Sequence, residues 1–422
     1  MKLEKIAKAK KILIFGFGLE GKVTADFLKR KFPEIEIIIH DEKIAEYSEP
    51  KNFNNFDVVV VTPGVPRSKF PSELSDKLTS GTEIFFDNLP EKIRKKTIGI
   101  SGSKGKSTTT KFVAEFLTNA GFRTEIIGNF GRPALEIYDD FVDEKIDYCV
   151  AELSSYQLEN LQTSPHLAIF LSFFAEHLSR HGDEESYFKA KANLWRYQTE
   201  SDYLIAPEIL ALILEKEENK KVFAAPISNK YFPSDSIFNA EHFRHNFGTV
   251  VALAMVLNIK NAEKVFSQTA QNFTGLPHRC EFFHESEGRK FYDDSISTNP
   301  NSALAAIRFF NKNLGTIVLG GEDAGGAFED LFLGIKELDI NPRLVIVDSE
   351  ITPKILSATK KTGFSNFEVF DDFEIAVKSA IKSTSAGKIC ILSPAGKSFD
   401  RFPNYKERGN VFKKIVKEVC GE

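Results

Sequence analysis

The stretch Gly99-Ile100-Ser101-Gly102-Ser103-Lys104-Gly105-Lys106-Ser107-Thr108 constrains this chain most. An apolar run at 97–100 leads into it, and a helix pattern rich in Thr, Ala, Phe and Leu follows. A strand that ends in glycines and reopens as a helix turns backbone N–H groups and a helix N-terminus toward one point, which suits an anion. Lys106 adds a point charge there, and Ser107 offers a hydroxyl to Mg²⁺. The general pattern GxxxxGK[ST] would put its first glycine at Ile100, so the spacing departs from it. The strand before and the helix after still favour a phosphate loop over a surface Lys/Ser loop. Gly102, Ser103, Lys104, Gly105, Lys106, Ser107 and Thr108 are then candidate ATP-binding residues.

With 422 residues the chain has room for about three domains. Its 42% hydrophobic and 27% charged residues are ordinary for a folded protein and exclude a largely disordered one. A net charge of −4 excludes a general nucleic-acid or membrane-surface binder, so phosphate binding must be local. Cys149, Cys280, Cys390 and Cys420 are scattered, with no CxxC, which argues against a disulfide framework or a zinc site and fits a reducing, cytoplasmic setting. No apolar run approaches a membrane span. The basic N-terminus before Ile12–Phe15 resembles half a signal peptide, but glycines follow at once, and it reads as a first strand. The 39 phenylalanines read as core packing.

Short apolar runs alternate with amphipathic stretches, the pattern of an α/β protein with parallel sheets. Strands are expected at 11–15, 35–40 and 58–61, then at 97–100, 146–151, 166–171 and 203–205, then at 290–292, 316–319, 344–347 and 388–392. Asn88-Leu89-Pro90 with the basic stretch 91–96 reads as a linker, and Gly275-Leu276-Pro277 as a second break. The charged stretch 215–221 reads as a solvated helix end.

Gly16-Phe17-Gly18-Leu19-Glu20-Gly21 follows the first strand, and Asp41 lies 20 residues after the last glycine. Taken alone, this is a dinucleotide fingerprint, equally able to hold another nucleotide diphosphate or to serve packing only. A phosphate loop also needs a second Mg²⁺ ligand. Glu152, at the end of a neighbouring strand, is the candidate, although an acid there is as often a helix N-terminal charge.

GSKGKST, then Gly128-Asn129-Phe130-Gly131, then Glu152-Leu153-Ser154-Ser155-Tyr156-Gln157-Leu158-Glu159 resemble the Mur ligase family of peptidoglycan synthesis. Leu276-Pro277-His278-Arg279, Asp294-Ser295, Leu392-Ser393-Pro394-Ala395 and Ser398-Phe399-Asp400 agree, and within the family resemble the glutamate-adding type most. The resemblance runs through the whole chain. It implies three domains: a Rossmann-like UDP-binding domain at 1–92, a central P-loop ATPase with a mostly parallel sheet at 93–276, and a C-terminal Rossmann-like domain receiving the amino acid at 277–422.

The resemblance reassigns the N-terminal loop to the UDP part of a substrate, through Gly18, Leu19, Glu20, Asp41, Gly64 and Asn129. Glu176-His177-Leu178-Ser179-Arg180-His181 matches a DHxDRH pattern with Glu176 and Ser179 replacing its acids. His177 then binds metal or orients an acyl phosphate. Lys191 matches a carbamylated lysine that would hold a second Mg²⁺, with Lys189 the plain alternative. Metal ligands would be Ser107, Glu152, His177 and Lys191. Lys106, His177 and Lys191 would be catalytic. Asn246, Arg279 and Asp294 would contact ATP. Thr298, Ser398 and Tyr405 would hold glutamate. Ile296 and Ala324 stand where the glutamate-adding pattern has lysines, so Arg401, Lys397 or a residue outside the motif is expected to supply the missing charge.

The implied reaction joins glutamate, as the D- or the L-isomer, to UDP-N-acetylmuramoyl-L-alanine with ATP and Mg²⁺ through an acyl phosphate, in a monomeric cytoplasmic enzyme without nucleic-acid or membrane partners. Closure of the C-terminal domain over the ATPase is the expected way to exclude water. A folylpolyglutamate-type ligase, an NAD-dependent oxidoreductase or a nucleotide-binding paralogue without catalysis are the alternatives.

Overall fold

The computed structural model describes residues 1–42, 44, 52–174, 176–218, 222–225 and 241–421. Its contacts divide the chain into two compact units, Met1–Phe273 and Thr274–Glu422. The division falls beside Gly275-Leu276-Pro277.

The first unit holds two sheets. One contains β1 (Lys11–Phe15), β2 (Glu36–His40), β3 (Val58–Val61) and β4 (Leu78–Thr79), in the order β2-β1-β3-β4 and parallel throughout. Ile12–Ile14 and Val58–Val61 are buried, as the central strands of a parallel sheet covered on both faces require. The second sheet contains β5 (Thr97–Ser101), β6 (Thr124–Gly128), β7 (Tyr148–Glu152), β8 (Leu167–Phe170), β9 (Tyr203–Pro207) and β10 (Val222–Ala225). Its order is β10-β9-β8-β5-β7-β6, and every pair is parallel. β5 lies between β7 and β8, so the loops leaving these three strands share one edge. In open parallel sheets, that carboxyl edge is where ligands bind.

The two sheets of this unit share a core. Phe27, Phe85 and Phe86 from the first 92 residues pack with Tyr138 and Phe141 from beyond them. Phe27 and Tyr138 meet edge-on at 5.4 Å, and the Tyr138 hydroxyl donates to the Asn88 carbonyl at 2.8 Å. The stretch 91–96 connects the two sheets and is anchored at buried Ile93 and Arg94. Glu91–Arg94 is a helical turn, and Arg94 is buried, donating to Asp202 at 2.9 Å and to both oxygens of Glu91. Lys92 and Lys95 are exposed, and Arg94 is the buried cation of the run, as a buried charge requires a partner. The expected helix end at 215–221 is the end of the helix Glu208–Glu218, and 219–221 lie outside the described residues.

The second unit has one six-stranded sheet. It contains β11 (Glu281–Ser286), β12 (Arg289–Asp293), β13 (Leu314–Gly320), β14 (Arg343–Val347), β15 (Phe367–Phe370) and β16 (Ile389–Ala395), in the order β11-β12-β16-β13-β14-β15. All pairs are parallel except the β11–β12 hairpin. That hairpin turns at Glu287 and Gly288, both with positive φ, as a tight two-residue connection needs. β16 returns between β12 and β13, which opens a crevice at the carboxyl ends of these strands. Among the described residues, no helix is long and apolar enough to cross a membrane.

Removing Arg94 leaves the Asp202 carboxylate buried without its guanidinium. Arg94→Ala is expected to cost about 3 kcal/mol of unfolding free energy. Urea unfolding of the full chain measures this, and a loss below about 1 kcal/mol would contradict the role assigned to the pair.

Candidate active site

The phosphate loop links β5 to the helix Lys106–Asn119. Gly105 caps that helix with φ +86°, and a Cβ on it would lie 2.2 Å from Asn246 Nδ2. Glycine is required there twice, by the left-handed backbone and by the close approach of Asn246. Asn246 is itself buried, on the helix Glu241–Val256, so the loop and its expected adenine contact adjoin.

Lys106 Nζ donates to the carbonyls of Gly102 at 2.8 Å and Ser103 at 2.9 Å. Lys191 Nζ reaches the same Gly102 carbonyl at 2.9 Å. Lys191 sits on the helix Glu184–Ala192 and is 1% exposed, whereas Lys189 on that helix pairs with Glu185 in solvent. Burial, and then the neighbouring Lys106 charge, lower the Lys191 pKa to about 7. The Tyr187 ring lies 4.8 Å below its Nζ, and the Tyr187 hydroxyl is 3.3 Å from Ser103 Oγ. Tyr187 was not singled out in sequence. Its spacing of four from Lys191 on one helix face was the available signal.

Glu152 ends β7, fully buried. Its Oε1 accepts from Asn129 Nδ2 at 2.7 Å, while its buried Oε2 has no hydrogen-bond partner among the described residues. An orphaned carboxylate oxygen is costly unless a cation or donor completes it. With the Ser107 hydroxyl on the adjoining helix, this donor set fits Mg²⁺. Asn129 therefore stands beside Glu152.

His177 has φ +57°, and its Nδ1 is 3.2 Å from the Tyr156 hydroxyl. Burial lowers its pKa, with Lys106 and Lys191 adding to the effect against Glu176. His181 Nε2 is 3.0 Å from Ser155 Oγ. Arg180 stacks on Tyr156, ion-pairs with Glu159 at 3.0 Å, and donates to the Val65 carbonyl at 3.3 Å. That last bond joins this loop to the loop carrying Gly64.

In the N-terminal sheet, a Cβ on Gly21 would meet the Gly16 carbonyl at 2.1 Å, so the glycine loop closes tightly on its helix. Gly18 caps the helix Leu19–Lys31, and Leu19 is exposed. Asp41 accepts from the Phe17 amide at 2.6 Å, which shapes the loop. Glu20 accepts from the Thr82 hydroxyl at 3.3 Å, and burial raises its pKa to about 7.

The second unit carries Arg279, Asp294, Thr298, Ser398 and Tyr405. Arg279 is exposed. Asp294 is buried and accepts from Ser297 Oγ at 2.5 Å, Ser393 Oγ at 2.7 Å and the Cys280 amide at 3.1 Å. Burial raises its pKa to about 6. Thr298 follows β12, Ser398 follows β16, and Tyr405 opens the final helix, Tyr405–Cys420. Arg401 is engaged with the backbone. Its guanidinium clamps the carbonyls of Asp371 and Asp348, both at 2.6 Å. Lys397 is exposed beside buried Ser398, and Lys354 ion-pairs with Asp323, next to Ala324. Arg408 is buried and donates to the carbonyls of Ser295, Gly396, Gly320 and Lys397, a role that sequence did not reveal. His278, Glu281 and Asp293 cluster, but Lys413 pairs with both carboxylates, so they form an ion network.

Residues 100–270 match the model of the Mur ligase middle domain. A relative from Clostridium botulinum, named UDP-N-acetylmuramoylalanine–D-glutamate ligase, is 30% identical over 99% of both chains. The chain belongs to the Mur ligase family. Relatives of the same name from Francisella tularensis and Natranaerobius thermophilus are 29% and 28% identical over nearly the whole chain. The fold is shared with the MurF ligase of Thermotoga maritima in complex with ADP, at a TM-score of 0.56 and 13% identity over 97% of this chain and 95% of that one. It is shared also with Escherichia coli FolC in complex with ADP, at 0.52 and 14% identity over 80% of this chain and 97% of that one. As a Mur ligase the protein is an ATP-dependent ligase.

Two outcomes follow from the lysine pair. Lys106→Ala is expected to lower phosphoryl transfer by about a hundredfold or more, read as ADP release. A variant within a few-fold of wild type would exclude Lys106 from the chemistry. Lys191 binds its proton less readily folded than unfolded, so the unfolded chain carries more protons between pH 7 and 10.5. The stability penalty is full below pH 7 and fades as pH rises. Wild type should therefore gain stability relative to Lys191→Met from pH 7 to 10, measured by denaturant unfolding. Parallel profiles would refute a buried, depressed amine.

Proposed function

We propose that this Mur ligase joins D-glutamate to UDP-N-acetylmuramoyl-L-alanine at the expense of ATP, in the cytoplasm, where peptidoglycan precursors are built. The observation that carries the reading is the orphaned Glu152 carboxylate oxygen beside a phosphate loop whose lysine shares a carbonyl with buried Lys191. The full-length relatives' name supports the substrates and the D-isomer.

Gly18, Leu19, Glu20, Asp41, Gly64 and Asn129 would bind the UDP-linked substrate. The amides that open the helix Lys106–Asn119, with Asn246, would hold ATP. The Ser103 and Lys104 amides are already committed to Ser172. Arg279 and Asp294 would complete the nucleotide contacts. The substrate's alanyl carboxylate attacks the γ-phosphorus, ADP leaves, and an acyl phosphate forms. Lys106 stabilises the charge on the transferring phosphoryl group. The neutral amine of glutamate then attacks the acyl carbon, phosphate leaves, and the nitrogen gives up a proton. Thr298, Ser398 and Tyr405 would position glutamate's carboxylates.

Mg²⁺ would be held by Ser107 and Glu152, and a second ion by His177 and carbamylated Lys191. Bound there, it supplies charge neutralisation at the phosphates. A Lys191 amine whose pKa is lowered to about 7 has a substantial neutral fraction near neutral pH that can attack CO₂, which supports carbamylation.

Purified protein with ATP, Mg²⁺ and UDP-N-acetylmuramoyl-L-alanine should release ADP only with glutamate. Parallel assays with D- and L-glutamate test the isomer directly, since the site departs from the family pattern at Ile296 and Ala324. D-glutamate should be preferred by more than tenfold. Comparable rates with both isomers, or with aspartate, would refute a fixed two-carboxylate clamp. Lys191→Ala should be inactive and partly restored by short carboxylic acids. An active Lys191→Ala would remove carbamylation from the mechanism.

A further inference from the structure

Glu176, which stands where the family pattern has Asp, meets Lys104 of the phosphate loop. Lys104 Nζ lies 2.6 Å from Glu176 Oε1. Both side chains emerge from one ladder. The Leu171 amide donates to the Ser101 carbonyl, continuing the β5–β8 pairing beyond the strands. The Ser103 amide then donates to the Ser172 carbonyl at 2.8 Å. Ser172 Oγ accepts from the Lys104 amide at 2.9 Å and donates to the Lys104 carbonyl at 3.1 Å. Ser103 Oγ accepts from the Phe174 amide and donates to the Phe174 carbonyl, both at 2.9 Å.

Residues 172, 174 and 176 therefore face the loop in alternation, and the ion pair is the last rung. Immediately after it, His177 takes φ +57°. A left-handed imidazole residue persists only where its surroundings over-determine it. On one side His177 is held through Tyr156, and on the other the chain is anchored by Glu176. The side chain of Lys104 is 74% exposed and that of Glu176 26%, so the pair is not required for the core.

We propose that Lys104 and Glu176 are positioning residues whose ion pair fixes the His177 turn against the phosphate loop, so that the loop's conformation sets where the imidazole stands. This rests on the reading of the site as one for ATP-driven phosphoryl transfer.

The test uses the full chain as Lys104→Met, Glu176→Gln, the double variant and Lys104→Arg. ADP release gives kcat and the KM for ATP, titration gives ADP affinity, and amide hydrogen exchange reports on residues 172–182. Each neutralising variant should lower kcat about three- to fivefold, and Lys104→Met and Glu176→Gln should shift the KM for ATP and ADP affinity in the same direction and to the same extent. The double variant should be no worse than either single one, because both remove one interaction. Lys104→Arg should restore kcat. Exchange over 172–182 should rise equally in both single variants and the double.

Additive losses, or unchanged exchange, would overturn the proposal. So would a large loss of ADP affinity in Lys104→Met with a gain in Glu176→Gln, because Lys104 would then touch phosphate directly. If wild type shows no glutamate-dependent turnover, the functional reading fails. Hydrogen exchange and ADP affinity across the variants would still decide the pair.

Discussion

Two lysines donate to one carbonyl, that of Gly102, and the site is organised around that crowding. Two ammonium groups this close, one of them buried, cannot both hold their protons cheaply. The pKa of Lys191, which is buried against Tyr187, is lowered by that burial and by the neighbouring Lys106. A buried amine with a lowered pKa lies in the same site as a buried carboxylate oxygen that has no hydrogen-bond partner among the described residues. The left-handed Gly105 and the Asn246 that packs on it hold the loop in the form that makes this convergence possible.

The surrounding aromatic groups carry the geometry outward. Tyr187 links Lys191 to Ser103, and Tyr156 links His177 to the stacked Arg180. Arg180 then reaches the Val65 carbonyl in the loop that lines the expected UDP site. Because Phe27, Phe85 and Tyr138 bury one core across both sheets of this unit, these contacts join parts of a single body. The segment 176–181 is thereby in contact with the loop that carries Gly64.

The second unit spends its strongest cations on its own backbone. Arg408 neutralises a knot of carbonyls where β12, β13 and β16 end, and Arg401 clamps two more. Lys397 is exposed, and Lys354 pairs with Asp323 beside Ala324. That division has a physical basis. Carbonyls at the ends of parallel strands have no ladder partner, and guanidinium groups with five donors serve them best.

Sequence alone determined the parallel α/β class and the glycine-rich passage from strand to helix at 97–108. Those features depend on local periodicity, on glycines at fixed offsets and on motifs read within a few residues. Tertiary structure alone decided that Arg94 in the basic stretch 91–96 is buried, because it answers a carboxylate 108 residues away. It decided that Lys191, rather than Lys189, is the buried amine, because only one of the two helix faces turns to Gly102. It also placed Lys104 and Glu176 in one ion pair. Charge compensation between distant segments depends on distance and burial, and neither is written in the order of residues.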